Sequence, residues 1–401
     1  MNKNLYIAIF SILMAFSCTK ESYDNMQRNS FIKFFGSQFE NSAEDLIEDN
    51  GSYVFVGYSL QDTTNRRGYI AKTNEFGNTQ WEAYSFGFDH VEFHGITLGN
   101  DNTYVVCGEI TDSTGQKDLY VSKFGPDGSL IWFNSFGGIN DQVGNKIIRA
   151  NDGGYVIIGN TTRFSGGNGN PSGYFDMMVC KIDENGDSLI TNQFGGSNQD
   201  YGNDIVAYGG NQYFAVGTAQ SFTGAYENFH AGKLIYIVML SNQLGEDDAH
   251  CWGDAEDQTG NSITFDLNGN LLIGGGYLTT AGGIKEGYLL NIDVNDIRTN
   301  LDSLIINTTG LEEIYDVRVQ SDGTICATGL NNVNNFNKIA VYKVGSSPLS
   351  LENNFELGYE GNAVGNRLIA TSNGGFLIAG SSLYQLISNA TLIKLKENVE
   401  L

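Results

Sequence analysis

The feature that most constrains the fold is a short apolar segment ending in glycine, which recurs seven times along the chain. Its successive terminal glycines are separated by 51, 51, 58, 58, 54 and 51 residues. Because a strand-rich unit repeated at this period is typical of a propeller blade, the spacing predicts an array of similar units. The segments occupy residues 53–57, 104–108, 155–159, 213–217, 271–275, 325–329 and 376–380.

The third repeat shows most clearly how four strands fill one unit. Apolar segments at residues 144–150, 155–161, 176–182 and 188–194 each predict a strand. Turns rich in Asn, Asp and Gly separate the first strand from the second and the third from the fourth, at residues 151–154 and 183–186. Each unit is therefore predicted to be a four-stranded antiparallel blade. Four of the first strands open on a Gly-Asn pair, at Gly144, Gly202, Gly260 and Gly365.

The two ends of the chain together predict one complete blade. The last repeat reaches its third strand at residues 390–395, and no fourth strand follows before Leu401. Residues 31–35 have the alternating pattern of a fourth strand without a blade of its own. Because a propeller avoids an open sheet edge by joining both ends in one blade, we expect an all-β, seven-bladed β-propeller whose N-terminal strand closes the last blade.

Three short motifs carry a resemblance to a known family. They are the DGGY turn at residues 152–155, the DENG turn at 183–186 and the closing FGG at 136–138 and 194–196. Together they are similar to those of a bacterial family of β-propeller repeat proteins, many of which are outer-membrane lipoproteins. The resemblance covers residues 31–401 and implies the fold. It implies no particular activity, because propellers serve as enzymes, binding modules and scaffolds alike.

The N-terminus has the pattern of an export signal. Lys3 precedes an apolar run at residues 5–16, which is too short for a membrane-spanning helix and fits a signal peptide. Residues 15–18 resemble a bacterial lipobox, which implies that Cys18 carries palmitate and begins the mature protein. The alternative is an ordinary signal peptide cleaved near Ser17. We expect a signal peptide at 1–17, a lipidated tether at 18–30, a propeller at 31–401 and anchoring in the outer membrane.

The net charge limits the class of partner, and the spacing of the cysteines bears on whether disulfides form. The net charge of −24 disfavours nucleic acid and anionic lipid headgroups, so membrane contact is expected only through the lipid anchor. The other four cysteines show no CxxC spacing, and three lie in apolar strand segments. We expect them to be buried free thiols. They are Cys107, Cys180, Cys251 and Cys326.

Long insertions between the second and third strands of repeats three, four and five, the last at residues 277–287, form the candidate binding surface. The insertions of repeats three and four are rich in glycine and carry aromatic side chains, which can stack on sugar rings or anchor a protein partner. The alternative is that these loops fold over their own blades and bury the rings. The expected partner is therefore an outer-membrane protein complex or a glycan. The candidate residues are Phe164, Tyr174, Phe222, Tyr226 and Phe229.

A weak metal candidate combines His90, Glu92, His94 and His230. Imidazole and carboxylate groups are suitable ligands for transition metals. However, residues four apart share one side only on a helix, and the segment containing His90 and His94 is not predicted to be helical. We therefore interpret these histidines as structural and expect no cofactor.

Nothing in the chain has the pattern of a catalytic motif. There is no nucleophile elbow, phosphate loop or zinc-binding helix. Glu92, Asp141 and Asp200 lie on connections of one predicted face, where two carboxylates would have to meet to cleave a glycosidic bond. The sequence favours a monomeric, non-enzymatic scaffold of an outer-membrane complex. A glycan-binding surface lipoprotein is the alternative, and a polysaccharide lyase or hydrolase is less favoured.

Overall fold

The chain forms a ring of seven sheets, each made of four antiparallel strands, in a computed structural model. The structure describes residues 30–36, 39–62, 65–85, 90–138, 141–162, 174–196, 198–210, 212–220, 232–254, 256–279, 283–308, 310–358 and 361–401. Within these ranges no helix is long and apolar enough to cross a membrane, and the helical content is one 3-10 turn at Asn100–Asn102. The fold is a seven-bladed β-propeller, as predicted.

Blades 1 to 4 each use four strands that are consecutive along the chain and adjacent in the sheet. The strands of the third blade coincide with the predicted ones, except that its first strand begins two residues earlier and ends one residue earlier. Blade 1 contains β2 (Asn41–Asp49), β3 (Ser52–Leu60), β4 (Arg66–Thr73) and β5 (Thr79–Tyr84); blade 2 contains β6 (Val91–Leu98), β7 (Tyr104–Thr111), β8 (Lys117–Phe124) and β9 (Leu130–Phe136); blade 3 contains β10 (Gln142–Arg149), β11 (Tyr155–Thr161), β12 (Asp176–Ile182) and β13 (Ser188–Phe194); blade 4 contains β14 (Asp200–Tyr208), β15 (Gln212–Ala219), β16 (Leu234–Leu240) and β17 (Glu246–Trp252).

Blades 5 and 6 repeat this plan, and blade 7 takes its fourth strand from the N-terminus. Blade 5 contains β18 (Gln258–Phe265), β19 (Leu271–Thr279), β20 (Ile284–Ile292) and β21 (Asn300–Ile306); blade 6 contains β22 (Leu311–Val319), β23 (Ile325–Val333), β24 (Phe336–Ser346) and β25 (Leu349–Leu357); blade 7 contains β26 (Ala363–Ala370), β27 (Phe376–Tyr384), β28 (Ile387–Leu395) and β1 (Phe31–Phe35).

The first strand of every blade lines a central channel, since it packs against the first strands of both neighbouring blades around the ring. Connections from second to third strands, and from each blade to the next, lie on one face, which we call the upper face. The turns between first and second strands and between third and fourth strands lie on the opposite, lower face. Each first strand therefore runs from the upper face to the lower face.

The N-terminal strand closes the ring in the predicted way. β1 pairs antiparallel with β28, so that Phe31 lies opposite Lys394 and Phe35 opposite Ala390. Phe35 is buried, and its ring centroid lies 4.9 Å from that of Phe55 in blade 1. β1 therefore completes blade 7 and also fastens it to blade 1.

Seven buried apolar clusters fill the seven spaces between neighbouring blades. The second strand of each blade contributes to two of these clusters. In β3, Tyr53 and Phe55 pack towards blade 7, whereas Val54 and Val56 pack towards blade 2. Because both faces of this strand are buried, its sequence is continuously apolar rather than alternating, and this explains the recurring segment.

The glycine that ends each apolar segment is required by a close approach of two backbones. A Cβ at Gly159 would collide with the carbonyl oxygen of Val143 in the adjacent first strand. The same collision, with the carbonyl two residues before the bulge of the first strand, would occur in every blade. The seven glycines are Gly57, Gly108, Gly159, Gly217, Gly275, Gly329 and Gly380.

Replacing one of these glycines tests that constraint. Gly159→Ala should lower the free energy of unfolding by about 1–3 kcal/mol, because the first strand must shift to make room for the methyl group. Gly210→Ala is the control, since nothing lies within 4 Å of its Cβ position, and it should change the free energy by less than about 0.5 kcal/mol. Denaturant titrations of both variants measure the difference. Equal stability of the two would contradict the close approach.

The four cysteines within the described ranges are free, as expected. Cys107, Cys180 and Cys326 are buried, whereas Cys251 is partly exposed. Burial raises the pKa of the Cys251 thiol to about 12. These cysteines therefore act as small apolar side chains in the packing between strands.

Candidate functional site

Seven bulges, one in each first strand, direct one side chain per blade to the upper mouth of the channel. In blade 3 the pairing register with β11 shifts between Gly144 and Lys146, so that Asn145 is the extra residue. A bulge of this kind bends the strand and redirects the side chain that it carries. We call the seven bulge residues the mouth ring: Glu44, His94, Asn145, Asn203, Asn261, Tyr315 and Asn366.

All seven residues of the mouth ring line one cavity of about 330 Å³. The eighth residue that lines the cavity is Arg367, which follows Asn366 and lies deeper in the channel. The lining is polar throughout, with amide, carboxylate, imidazole, phenol and guanidinium groups. The cavity can therefore exchange many hydrogen bonds with a bound molecule.

Four asparagines of the mouth ring bind the blades together. Each donates its Nδ2–H to the carbonyl oxygen that precedes the ring residue of the next blade. Asn145 donates to Gly202 O and Asn203 donates to Gly260 O, both at 2.8 Å. The two remaining bonds, Asn261 to Ile314 O and Asn366 to Ala43 O, measure 2.8 and 3.0 Å. The Gly-Asn pairs seen in the sequence are thus clasps between neighbouring blades.

A layer of buried ion pairs closes the channel below the mouth ring. Lys146 Nζ of blade 3 lies 2.7 Å from Asp45 Oδ2 of blade 1. Arg367 of blade 7 and Arg318 of blade 6 lie 3.7 and 3.6 Å from Asp204 Oδ2 of blade 4. We call this layer the charge plug, and it contains three acidic and three basic residues. They are Asp45, Lys146, Asp204, Asp316, Arg318 and Arg367.

The acidic residues of the charge plug also accept backbone N–H groups from the next blade. Asp45 Oδ2 accepts from Ile96 N at 2.9 Å, and Asp316 Oδ2 accepts from Leu368 N at 2.8 Å. Asp204 Oδ2 accepts from the equivalent nitrogen of blade 5 at 3.1 Å. Burial alone would raise the pKa of Asp204, but Arg367, Arg318 and Lys146 outweigh burial and hold that pKa below its usual range. Burial raises the pKa of the Asp316 carboxyl, although Arg318 and Arg367 oppose the shift. All three acids are hydrogen-bonded, as buried polar groups must be.

The structure brings Glu92 and His94 together with Glu109, and one ligand atom of each lies within 4.8 Å of the other two. His94 Nε2 is buried and lies 3.9 Å from Glu109 Oε2, too far for a hydrogen bond. Burial lowers the pKa of His94, but the Glu109 carboxylate outweighs it and raises that pKa above its usual value. The donor set of two carboxylates and one imidazole suits a transition metal.

Two basic side chains already neutralise the carboxylates of this cluster. Arg66 Nη1 lies 2.7 Å from Glu92 Oε1, and Lys117 Nζ lies 2.7 Å from Glu109 Oε1. A metal ion would have to replace these cations or bind beside them, where they repel it. The described side chains of the cluster therefore form an ion-pair network. The structural role of the histidines stays a prediction.

The other predicted site residues are scattered or lie outside the described ranges. His90 is exposed at the start of blade 2 with φ +64°, away from the mouth ring. Tyr174 precedes β12 on the upper face and is 40% exposed. The remaining candidates lie in parts of the chain that the structure does not describe: Cys18, Phe164, Phe222, Tyr226, Phe229 and His230.

Carboxylates proposed for catalysis instead hold the connections of the upper face. Asp200 Oδ2 accepts from Gly196 N at 2.8 Å, and Asp141 Oδ1 accepts from Lys117 N at 3.0 Å. The position of Asp200 is occupied by Gln142 in blade 3, Gln258 in blade 5 and Glu312 in blade 6, and each accepts the N–H four residues earlier. Asp200, Gln142, Gln258 and Glu312 are therefore buried structural acceptors, and Asp141 is a half-buried one.

Glu312 is the member of this set with the most perturbed acidity. Its side chain is 1% exposed, and burial raises its pKa to about 7, from an ordinary value of 4.5. Glu286 and Glu356 add repulsion, while the Thr308 N–H opposes the shift. The folded protein therefore binds the Glu312 proton more tightly than the unfolded chain does. This contribution to stability is complete below pH 4.5 and is lost as the pH rises through 7.

Glu312→Gln should remove this pH dependence, because Gln142 and Gln258 hold the same kind of loop contact in other blades. The variant should match the wild type near pH 4.5 and exceed its free energy of unfolding by up to about 3 kcal/mol above pH 8. Denaturant titrations at several pH values measure the difference. Glu352→Gln, on an exposed ion pair, is the control and should track the wild type within about 0.5 kcal/mol. A constant offset for Glu312→Gln would contradict the raised pKa.

Sequence reasoning missed three members of the cavity: Glu44, Tyr315 and Arg367. The Gly-Asn pairs marked the ring position in four blades, and His94 was aligned with them in blade 2. Counting the same distance back from the repeat glycine of blade 6 would have identified Tyr315, whereas in blade 1 the shorter turn places Glu44 one residue closer to its glycine. Arg367 follows directly after the Gly-Asn pair of blade 7, but only the closed ring shows that it crosses the channel to blade 4.

Comparison with known proteins assigns neither a family nor a function to the chain. No family model matches the chain, and no curated protein matches it in sequence. Similar solved structures include Sqt1 from Chaetomium thermophilum, at 13% identity and TM-score 0.45 over 87% of this chain and 82% of that one. The Pan2 WD40 domain of Neurospora crassa gives 7% and 0.43 over 72% and 86%. The acylaminoacyl peptidase of Pyrococcus horikoshii gives 8% and 0.45 over 85% and 49%. These values are too low to transfer a function.

Proposed function

We propose that this protein is a non-enzymatic propeller of the cell envelope that binds another protein through its upper face, within an outer-membrane complex. The observation that carries the proposal is a set of exposed apolar side chains at the tips of upper-face connections. They are Tyr174, Ile284, Phe336 and Leu386, exposed by 40%, 45%, 51% and 86%. The lower face also carries exposed apolar side chains, at Phe76 and Leu267, but the upper-face set spans four blades and includes Leu386, the most exposed large apolar residue of those described. Exposed apolar side chains of this kind favour contact with a protein partner.

The upper-face turn of blade 7 also supports this proposal. Gln385 and Leu386 form the turn between β27 and β28 with φ +53° and +66°, a conformation in which glycine or asparagine is usual. The equivalent turn of blade 6 uses Asn334 and Asn335. A leucine in this conformation is strained as well as exposed, and strain of this kind concentrates at functional positions.

The state of the upper-face carboxylates supports a binding role rather than a catalytic one. Glu92 is paired with Arg66, and Glu109 is paired with Lys117. Asp200 accepts two backbone N–H groups, from Gly196 and Gln220. These carboxylates already serve as partners for cations and backbone N–H groups within the fold.

The direction of β1 indicates how a lipid anchor would orient the molecule. Phe31 lies at the lower end of its strand, opposite Lys394, and Phe35 lies at the upper end. A tether from Cys18 therefore joins the propeller at the lower face. Its residues 19–30 span at most about 40 Å. Anchoring at Cys18 would leave the upper face directed away from the membrane.

Substitutions on the two faces test the proposed binding surface. The double variant Phe336→Ser, Leu386→Asn removes two apolar tips and keeps a residue suited to the turn. It should lose the protein that cross-links to the wild type in intact cells, with an unchanged melting temperature. The matched control is Phe76→Ser, Leu267→Ser on the lower face, where the side chains are 47% and 62% exposed. The control should keep the partner.

Retention of the partner by the upper-face variant, or its loss only from the lower-face control, would contradict the proposal. So would failure of the wild type to cross-link to any protein.

Acylation at Cys18 is tested separately. Cys18→Ala should abolish incorporation of labelled palmitate and release the protein from the membrane fraction, because a thiol is needed to carry the lipid. Ser17→Ala keeps a small residue beside the cysteine and should retain the label. Labelling of Cys18→Ala at the wild-type level would contradict acylation at Cys18, and absence of label from the wild type would favour the ordinary signal peptide.

A further inference from the structure

We infer that the cavity at the channel mouth binds a small, neutral, polyhydroxylated molecule of about the size of one sugar ring. The cavity has a volume of about 330 Å³ and is closed below by Arg367 and the charge plug. This volume lies at the lower end of the range of about 300–1,000 Å³ for small-molecule sites. It suits a single ring rather than a folded loop of another protein.

Four amides of the cavity are fixed in orientation. Because each asparagine of the mouth ring donates Nδ2–H to a neighbouring blade, its side chain cannot exchange the positions of nitrogen and oxygen without losing that bond. Among the described residues, no hydrogen bond is made to the Oδ1 atoms of these asparagines. The ring therefore offers four oriented acceptors, with the Glu44 carboxylate as a fifth group.

Donors without partners lie beside these acceptors. Within the part of the chain described, His94 Nε2 and Arg367 Nη1 are buried and make no hydrogen bond, and both residues line the cavity. The nearest carboxylate oxygens, Glu109 Oε2 at 3.9 Å and Asp204 Oδ2 at 3.7 Å, interact with them only electrostatically. Leaving a buried donor without a partner costs about 1–3 kcal/mol. A hydroxyl group both donates and accepts, so a molecule with several hydroxyls can serve the amide oxygens and the two nitrogen donors together.

The charges of the cavity disfavour ionic ligands. The charge plug balances three acidic residues against three basic ones. A carboxylate ligand would meet Glu44 on the rim, and an ammonium ligand would meet Arg367 and the protonated form of His94. A neutral ligand avoids both repulsions.

This site goes beyond the proposed protein-binding function, because it uses the centre of the upper face, whereas that function uses the loop tips. A protein partner that carries a sugar could contact the loop tips while its sugar occupies the cavity. The variants that test the two functions involve different residues, so one can fail while the other holds.

The test is isothermal titration of the pure protein with glucose, galactose, mannose and N-acetylglucosamine, with acetate and ethylammonium as charged probes. At least one sugar should bind with a dissociation constant between about 10 μM and 10 mM, and the charged probes should not bind. His94→Leu removes a donor and should weaken binding about tenfold.

His94→Asn supplies the amide that four other blades carry, and it should keep binding within about threefold of the wild type. Phe336→Ser, at a loop tip, should leave sugar affinity unchanged. Thermal melts establish that all three variants are folded.

Three outcomes would overturn the inference. They are no binding of any sugar at about 50 mM, unchanged affinity in folded His94→Leu, and binding of acetate or ethylammonium in place of the sugars.

Discussion

The structure depends on one contact that is repeated seven times, between a glycine of the second strand and a carbonyl oxygen of the first. The first strand can bulge over its neighbour only because that position lacks a Cβ. The bulge in turn directs one side chain per blade into the channel, where the mouth ring forms. The close packing of these two strands thus determines both the shape of each blade and the position of the side chains that line the cavity at the channel mouth. This contact is the reason that each recurring apolar segment of the sequence ends in glycine.

The repeat period predicted the number of blades, and the missing fourth strand of the last repeat, together with the unassigned strand at residues 31–35, predicted the closure of the ring. Both predictions follow from local patterns. The second, third and fourth strands of blade 3 were also predicted correctly from apolar patterns and turns. The first strand was predicted to begin at Gly144, whereas β10 begins at Gln142. The Gly-Asn pair marks the bulge inside the strand and not its beginning. The roles of Phe164, Phe222, Tyr226 and Phe229 stay predictions, since the structure does not describe those residues.

The charge plug could not be predicted from local sequence. Lys146 pairs with Asp45, and Arg367 pairs with Asp204, across distances of more than 100 residues along the chain. Such pairs depend on which blades face each other across the channel, and this is fixed only when the ring closes. Each blade supplies only one residue directly after its bulge, and the sequence does not show which of these residues will pair across the channel. The same holds for Glu109, whose contact with His94 comes from strand pairing in blade 2 and not from spacing along one strand.

The clasps between first strands are unevenly distributed around the ring. The asparagine clasps of the mouth ring join blades 3 to 4, 4 to 5, 5 to 6 and 7 to 1. The aspartates of the charge plug, which accept a backbone N–H from the next blade, join blades 1 to 2, 4 to 5 and 6 to 7. In the described residues the junction of blades 2 and 3 has neither, because His94 and Gly95 stand at the two positions. Blades 2 and 3 are joined instead by side chains nearer the lower face, where Lys123 Nζ lies 3.4 Å from Glu184 Oε2 and Asn134 donates to Gly186 O at 2.9 Å. The polar links between blades therefore continue around the whole ring, but at this one junction they lie near the lower face and not at the channel mouth.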